Sequence, residues 1–169
     1  MLRVPLGKSY IKRTIRPLYA FAQATPKSQF LDPAWNNAVA IYPGMCMMKT
    51  VGENVTLIDA TGHPYGLCAN YIGGDGIDEI TEQGVNAMAV WTLDTSAEFE
   101  ILDPAFDSTL SWVEPTNGTL SLVYAQTAGA TRGKLVPAGT SGATSRPVAR
   151  LIKVVSSTKI IIGGLSGTV

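Results

Sequence analysis

From Ala38 onward, apolar and polar positions alternate in short runs that turn residues cut apart. The stretch from Ala38 to Glu82 holds apolar runs of strand length, interrupted by Pro43-Gly44, Gly52-Glu53, Thr61-Gly62-His63-Pro64 and Gly73-Gly74-Asp75-Gly76. Within it, Asn54, Thr56 and Asp59 interleave with Val55, Leu57 and Ile58, the pattern of a strand with one buried face. Further on, Ala87, Ala89, Trp91 and Leu93 alternate with Met88, Val90 and Thr92, so both faces are apolar and an interior strand is predicted. Glu98 to Ile101 reads as a half-exposed strand ended by Asp103-Pro104. Asn117-Gly118 followed by Thr119 to Tyr124 predicts a hairpin with a type I′ turn, which needs positive φ at both central residues. Ala128 to Pro147 is small and polar and is expected to be a long loop, mobile unless a neighbour orders it. Val148 to Leu165 predicts a second hairpin with its turn at Ser156-Ser157-Thr158. These elements specify an all-β body, a small β-barrel or sandwich, with Trp91, Phe99, Trp112 and Tyr124 expected in its core.

The segment from Met1 to Asn37 has a different rhythm. Pro5, Pro17, Pro26 and Pro33 recur too often for a long helix and favour extended backbone. Its apolar residues, among them Leu2, Val4, Tyr10, Ile11, Ile15, Leu18 and Phe30, alternate only loosely. Two readings follow: an extended arm over residues 1–37 lying across another surface, or edge strands and loops packed on the chain's own body at 38–169. The apolar content and the cations favour the arm, anchored by the former and steered by the latter.

Composition sharpens the picture. The chain has 169 residues, 46% hydrophobic and only 15% charged, where about a quarter is usual. Such sparse charge suggests an exterior partly covered by other subunits. Membrane insertion is the rival explanation, and no uninterrupted apolar run approaches ~18 residues. The first residues lack the apolar stretch of a secretory signal, so a cytoplasmic compartment at synthesis is expected. Formal charge sums to zero, yet it is divided. Residues 1–31 carry Arg3, Lys8, Lys12, Arg13, Arg16 and Lys27 without an acid, residues 49–131 hold twelve acids and one lysine, and residues 132–169 are again purely basic. Basic ends and an acidic middle can pair within a subunit, between like subunits, or with a partner.

No constellation of catalytic residues emerges. His63 is the only histidine and lies in a turn composition, and no G-x-S-x-G elbow is present. Cys46 and Cys68 sit in apolar company and read as buried reduced thiols. With His63 between them, at spacings of 17 and 5, they match no zinc pattern. The acids Asp75, Asp78, Glu79 and Glu82 depart from the order of calcium-binding loops, and acids beside Gly73-Gly74-Asp75-Gly76 repel phosphate. Neither a metal nor any other cofactor is therefore expected, and an enzyme centred on Cys46 or His63 ranks last. Nucleic acid is the stronger competitor, because Tyr10, Tyr19, Phe21 and Phe30 stand among the arm's cations, as stacking and phosphate neutralisation require. The near-neutral pI of 6.6 weighs against it.

The order of phrases IYPGMCMMKT, NVTLIDATGHPYGLCANYIGGDGIDEI, AVWTLDTSAEFEILDPAFD, GKLVPAG, PVARLIKVV and KIIIGGL resembles the capsid decoration, or cement, proteins of tailed bacteriophages. That resemblance implies a β-barrel or β-tulip body on the outside of an icosahedral shell. It further implies a homotrimer at threefold positions, a major capsid protein as partner, and an N-terminal arm that orders on the capsid. Arg3, Lys8, Tyr10, Lys12, Arg13 and Arg16 would then carry the arm contacts. The function expected is non-enzymatic stabilisation of the shell, located on the virion exterior, with a nucleic-acid-binding β-barrel using the same arm as the alternative.

Overall fold

Alternation becomes pleated backbone almost wherever the sequence offers it. The computed structural model describes residues 13–19, 26–35, 39–73, 87–92 and 97–165. It contains eleven strands among these: β1 (Ile15–Tyr19), β2 (Pro26–Phe30), β3 (Cys46–Lys49), β4 (Val55–Leu57), β5 (Gly66–Cys68), β6 (Ala87–Trp91), β7 (Glu98–Leu102), β8 (Leu122–Ala125), β9 (Leu135–Pro137), β10 (Ala149–Ser156) and β11 (Lys159–Gly163). The helical content of the described residues is one 3-10 turn at Gly129–Thr131, and no helix there is long and apolar enough to cross a membrane.

The strands form two antiparallel sheets. One has six strands in the order β1-β7-β11-β10-β8-β9, the other five in the order β2-β6-β5-β3-β4. Among the described residues neither closes into a barrel, which corrects that expectation. The five-stranded sheet comes nearest: the residue after β2, Leu31, bridges to Val55 on β4, and the Asp32 amide donates to the Val55 carbonyl at 2.8 Å. One isolated bridge between the two edges, β2 and β4, is not a ladder.

Both sheets turn their apolar faces to a single core. Phe99, Ile101, Val123, Leu135, Ile160 and Ile162 come from the larger sheet, and Cys46, Met47, Val55, Leu57, Leu67 and Val90 from the smaller. β7 shows the half-buried alternation expected of it. In β4 the expected exposed face is missing, because Thr56 is buried together with Val55 and Leu57. Its partner across the ladder, Met48, runs against the turn at Gly62, where the missing side chain leaves room for the Met48 thioether. The 59–65 connection thereby lies over the second face of these short strands.

The described parts of the segment 1–37 follow the edge-strand alternative and not a free arm. β1 is an edge of one sheet, pairing with β7, and β2 is an edge of the other, pairing with β6. The register that holds at Tyr19↔Glu98 holds again from Pro26↔Trp91 to Phe30↔Ala87. β1 and β2 thus run antiparallel to β7 and β6, each along the rim of its own sheet. The prolines tolerate this because edge positions and strand starts spare the missing N–H: Pro17 stands on the edge strand opposite Phe99, and Pro26 opens β2. Thr14 and Ile15 are buried, the Thr14 hydroxyl donates to the Pro43 carbonyl, and the Leu102 amide donates to the Thr14 carbonyl at 2.8 Å.

Residues 128–147, expected as a loop, contain β9 and the 3-10 turn. Their small hydroxyl side chains bind backbone: Thr140 Oγ1 donates to the Pro137 carbonyl at 2.8 Å and Thr144 Oγ1 to the Arg146 carbonyl at 2.8 Å. Arg132 then ties this stretch to the smaller sheet, donating from Nε to the Ile58 carbonyl at 2.8 Å and from Nη2 to the Leu57 carbonyl at 2.6 Å. Arg132→Ala leaves two carbonyls at the end of β4 without their charged donor. It is expected to lower stability by about 2 kcal/mol, measured by urea denaturation, whereas Lys134→Ala, two residues on, changes it little.

Candidate interaction surface

Strand alternation decides which side chains the larger sheet offers to a partner. In β7, Phe99 and Ile101 point into the core, so Glu98, Glu100 and Leu102 face outward. In β11, Ile160 and Ile162 are buried, which turns Lys159 and Ile161 outward. Arg16 on β1 stands directly opposite Glu100. Its Nη2 donates to Glu100 Oε2 at 3.2 Å, and Lys159 Nζ approaches the same oxygen at 3.3 Å. The Glu100 carboxylate is largely shielded while the Arg16 side chain is 65% exposed, so the cluster holds β1 in register more than it adds stability, each exposed pair contributing about 0–1 kcal/mol.

Of the six residues expected to make partner contacts, Arg13 and Arg16 fall within the described residues and both are exposed. Arg3, Lys8, Tyr10 and Lys12 lie outside them. Arg16 is engaged with Glu100, an acid 84 positions away, and no local pattern announces that pair.

A second exposed feature is the connection from Ser111 to Leu120. Trp112 anchors its beginning, edge-on to Phe106 at a centroid distance of 5.4 Å with its Nε1 donating to the Asp107 carbonyl at 2.8 Å. Beyond that anchor, Val113 is 71% and Leu120 63% exposed. Between them the Thr119 amide donates to the Thr116 carbonyl at 2.9 Å, and among non-glycine residues described only Glu53 has positive φ. With Gly118 at φ +81° and Asn117 outside the left-handed region, the turn is type II, not type I′. A type II turn splays the flanking strands, and the strand that follows starts only at Leu122.

Cys46 and Cys68 are both free and buried. Burial pushes the Cys46 thiol far above its ordinary range, which keeps it protonated and unreactive. His63 is exposed. Burial pushes Asp59 up, but hydrogen bonds from Thr61 and Gly62 and the Arg132 guanidinium outweigh it and hold the carboxyl below its usual value. Asp59 is thus committed to its own turn. Among the described residues no group of three His, Cys, Asp or Glu side chains is placed to hold a metal ion. Phe99 is fully buried as expected, with Trp91 edge-on to it at 5.6 Å, and Trp112 is partly buried. Tyr124 is not in the core: Val123 and Ala125 take the inward positions of β8.

The family model of phage cement proteins matches residues 1–166. The chain belongs to that family. Searches of curated proteins and of solved structures find no match. A phage cement protein is a structural, capsid-binding component of the virion, and the exposed features above are surfaces that the described residues of this cement protein present. Val113 and Leu120 escaped the sequence reading. Their signal was present, since two large apolar residues flank a turn that has no sheet to return to, but it becomes visible only once the flanking hairpin is known not to form.

Proposed function

We propose that this cement protein binds the outer surface of a phage capsid and stabilises the shell through the basic residues at the start of its chain. The observation that carries the reading is the family match over residues 1–166, which takes in the basic segment as well as the sheets. Arg3, Lys8, Tyr10 and Lys12, continued by Arg13 at the start of the edge strand, form the contact. Arg16 contributes by fixing that strand to Glu100. The partner is the major capsid protein, met as a homotrimer, so that each further subunit's basic segment binds at high effective concentration and modest contacts suffice. The role is mechanical: extra interface area resists the outward pressure of packaged DNA.

The test is co-sedimentation of the purified protein with mature shells that lack it, for the full chain and for a deletion of residues 1–12. The cut is placed before Thr14 because that residue and Ile15 are buried in the body. Saturable binding by the full chain that falls at least about tenfold in the deletion, and weakens with salt as exposed cations are screened, is the expected result. Undiminished binding by the deletion moves the contact to the outward sheet face and the Val113–Leu120 loop. Binding to DNA in place of shells, with a steep salt dependence, replaces the capsid reading with the nucleic-acid one.

A further inference from the structure

We infer that Asn117 is a site of spontaneous covalent modification, where the Asn117-Gly118 pair converts through a cyclic imide to aspartate and isoaspartate. In this step the deprotonated Gly118 backbone nitrogen attacks Asn117 Cγ. A C–N bond forms, the Cγ–Nδ2 bond breaks, and the side-chain nitrogen leaves as ammonia with the proton that the Gly118 amide has given up. Water then opens the imide at one carbonyl or the other. Opening at one restores an ordinary backbone with an aspartate, and opening at the other routes the main chain through the side chain as isoaspartate. The balance is one water consumed and one ammonia released, with no oxidation or reduction.

The structure supplies what the reaction needs. Asn117 and Gly118 lie in a continuous exposed run from Thr116 to Leu120, so water and hydroxide reach them. Apart from its two chain neighbours, nothing comes within 4 Å of the place a Gly118 side chain would occupy, so no other segment packs over that side of the turn. The type II turn commits the Thr119 amide to the Thr116 carbonyl, and among the described residues the Gly118 amide donates to no acceptor.

Two other described asparagines lack these conditions. Asn54 precedes Val55, a branched residue whose backbone is paired with Lys49 in the β3–β4 ladder. Asn70 has its Oδ1 fixed by the Ala89 amide at 2.6 Å and precedes a buried Tyr71. Asn117-Gly118 is also the one Asn-Gly pair in the sequence. The product places a new carboxylate between the exposed Val113 and Leu120, close in sequence to Glu114. The isoaspartyl form adds a methylene to the main chain of the turn and breaks the Thr116–Thr119 closure.

The experiment incubates the purified full-length protein at mildly alkaline pH and maps its peptides by mass, beside a free peptide spanning Glu114 to Leu120. The expected result is conversion of the Asn117 peptide into two chromatographically distinct acid products. Its rate is proportional to hydroxide and within about threefold of the free peptide, as an exposed loop requires, while the Asn54 and Asn70 peptides stay unchanged. Asn117→Gln, at an exposed position, should fold as the parent and abolish the conversion. An Asn117 that keeps its amide long after the free peptide has converted overturns the inference, as does acid formation that persists undiminished in N117Q.

Discussion

Removing residues 1–37 abolishes the native fold. The deletion takes away both strands that line the rims of the sheets, and with them the pairings of Ile15, Arg16, Pro17 and Tyr19 with β7 and of Pro26 to Phe30 with β6. Ile15 leaves the core, and the Thr14 contacts to Pro43 and Leu102 are lost. β6 and β7 are then left as unpaired edges, each a template for pairing with another chain. The expected outcome is an aggregating product without a cooperative thermal transition, whereas the deletion of residues 1–12 retains every described strand pairing and a cooperative transition. A soluble 38–169 fragment with an unchanged transition would show that the two rim strands are dispensable to the body.

Phe99→Ala is expected to lower stability by about 3–5 kcal/mol, a large part of the roughly 5–15 kcal/mol that holds a domain of this size together. Phe99 has no exposed surface and lies on β7 between β1 and β11, opposite Pro17 on one side and Ile162 on the other. Trp91, from the smaller sheet, meets its ring edge-on at 5.6 Å. Truncation therefore opens a void where the two sheets join, and neither sheet can close it without giving up its register with neighbouring strands. Urea denaturation should show the midpoint falling with the slope kept. Tyr124→Ala, on an outward position of β8, serves as the comparison and should lose far less. Equal losses at the two positions would contradict the assignment of inward and outward faces.

Where the pattern is strictly local, the sequence dictates the element. Val148 to Leu165 was expected as a hairpin turning at Ser156-Ser157-Thr158, and β10 and β11 pair with Ser156 opposite Lys159. Glu98 to Ile101 alternates as written. The Asn117-Gly118 turn shows the limit: the dipeptide permits type I′ or type II, and the choice came with an incoming segment held by Trp112 on Phe106 and Asp107. Thr56 shows another, since its burial depends on a connection folded across its face.

The sequence by itself determined that this is an all-β chain with short strands, frequent tight turns and buried thiols, and its phrase order resembled the capsid-decorating proteins to whose family it belongs. Those are properties of the pleat, whose period of two is set by each residue's own backbone. Tertiary structure alone decided which strands are neighbours. It placed β1 and β2 along β7 and β6, set Arg16 against Glu100 across 84 positions, and left both sheets open among the described residues. Alternation states that a strand has an apolar face and two hydrogen-bonding edges. Which partner satisfies them is a comparison among all edges in the molecule, made only when the common core closes.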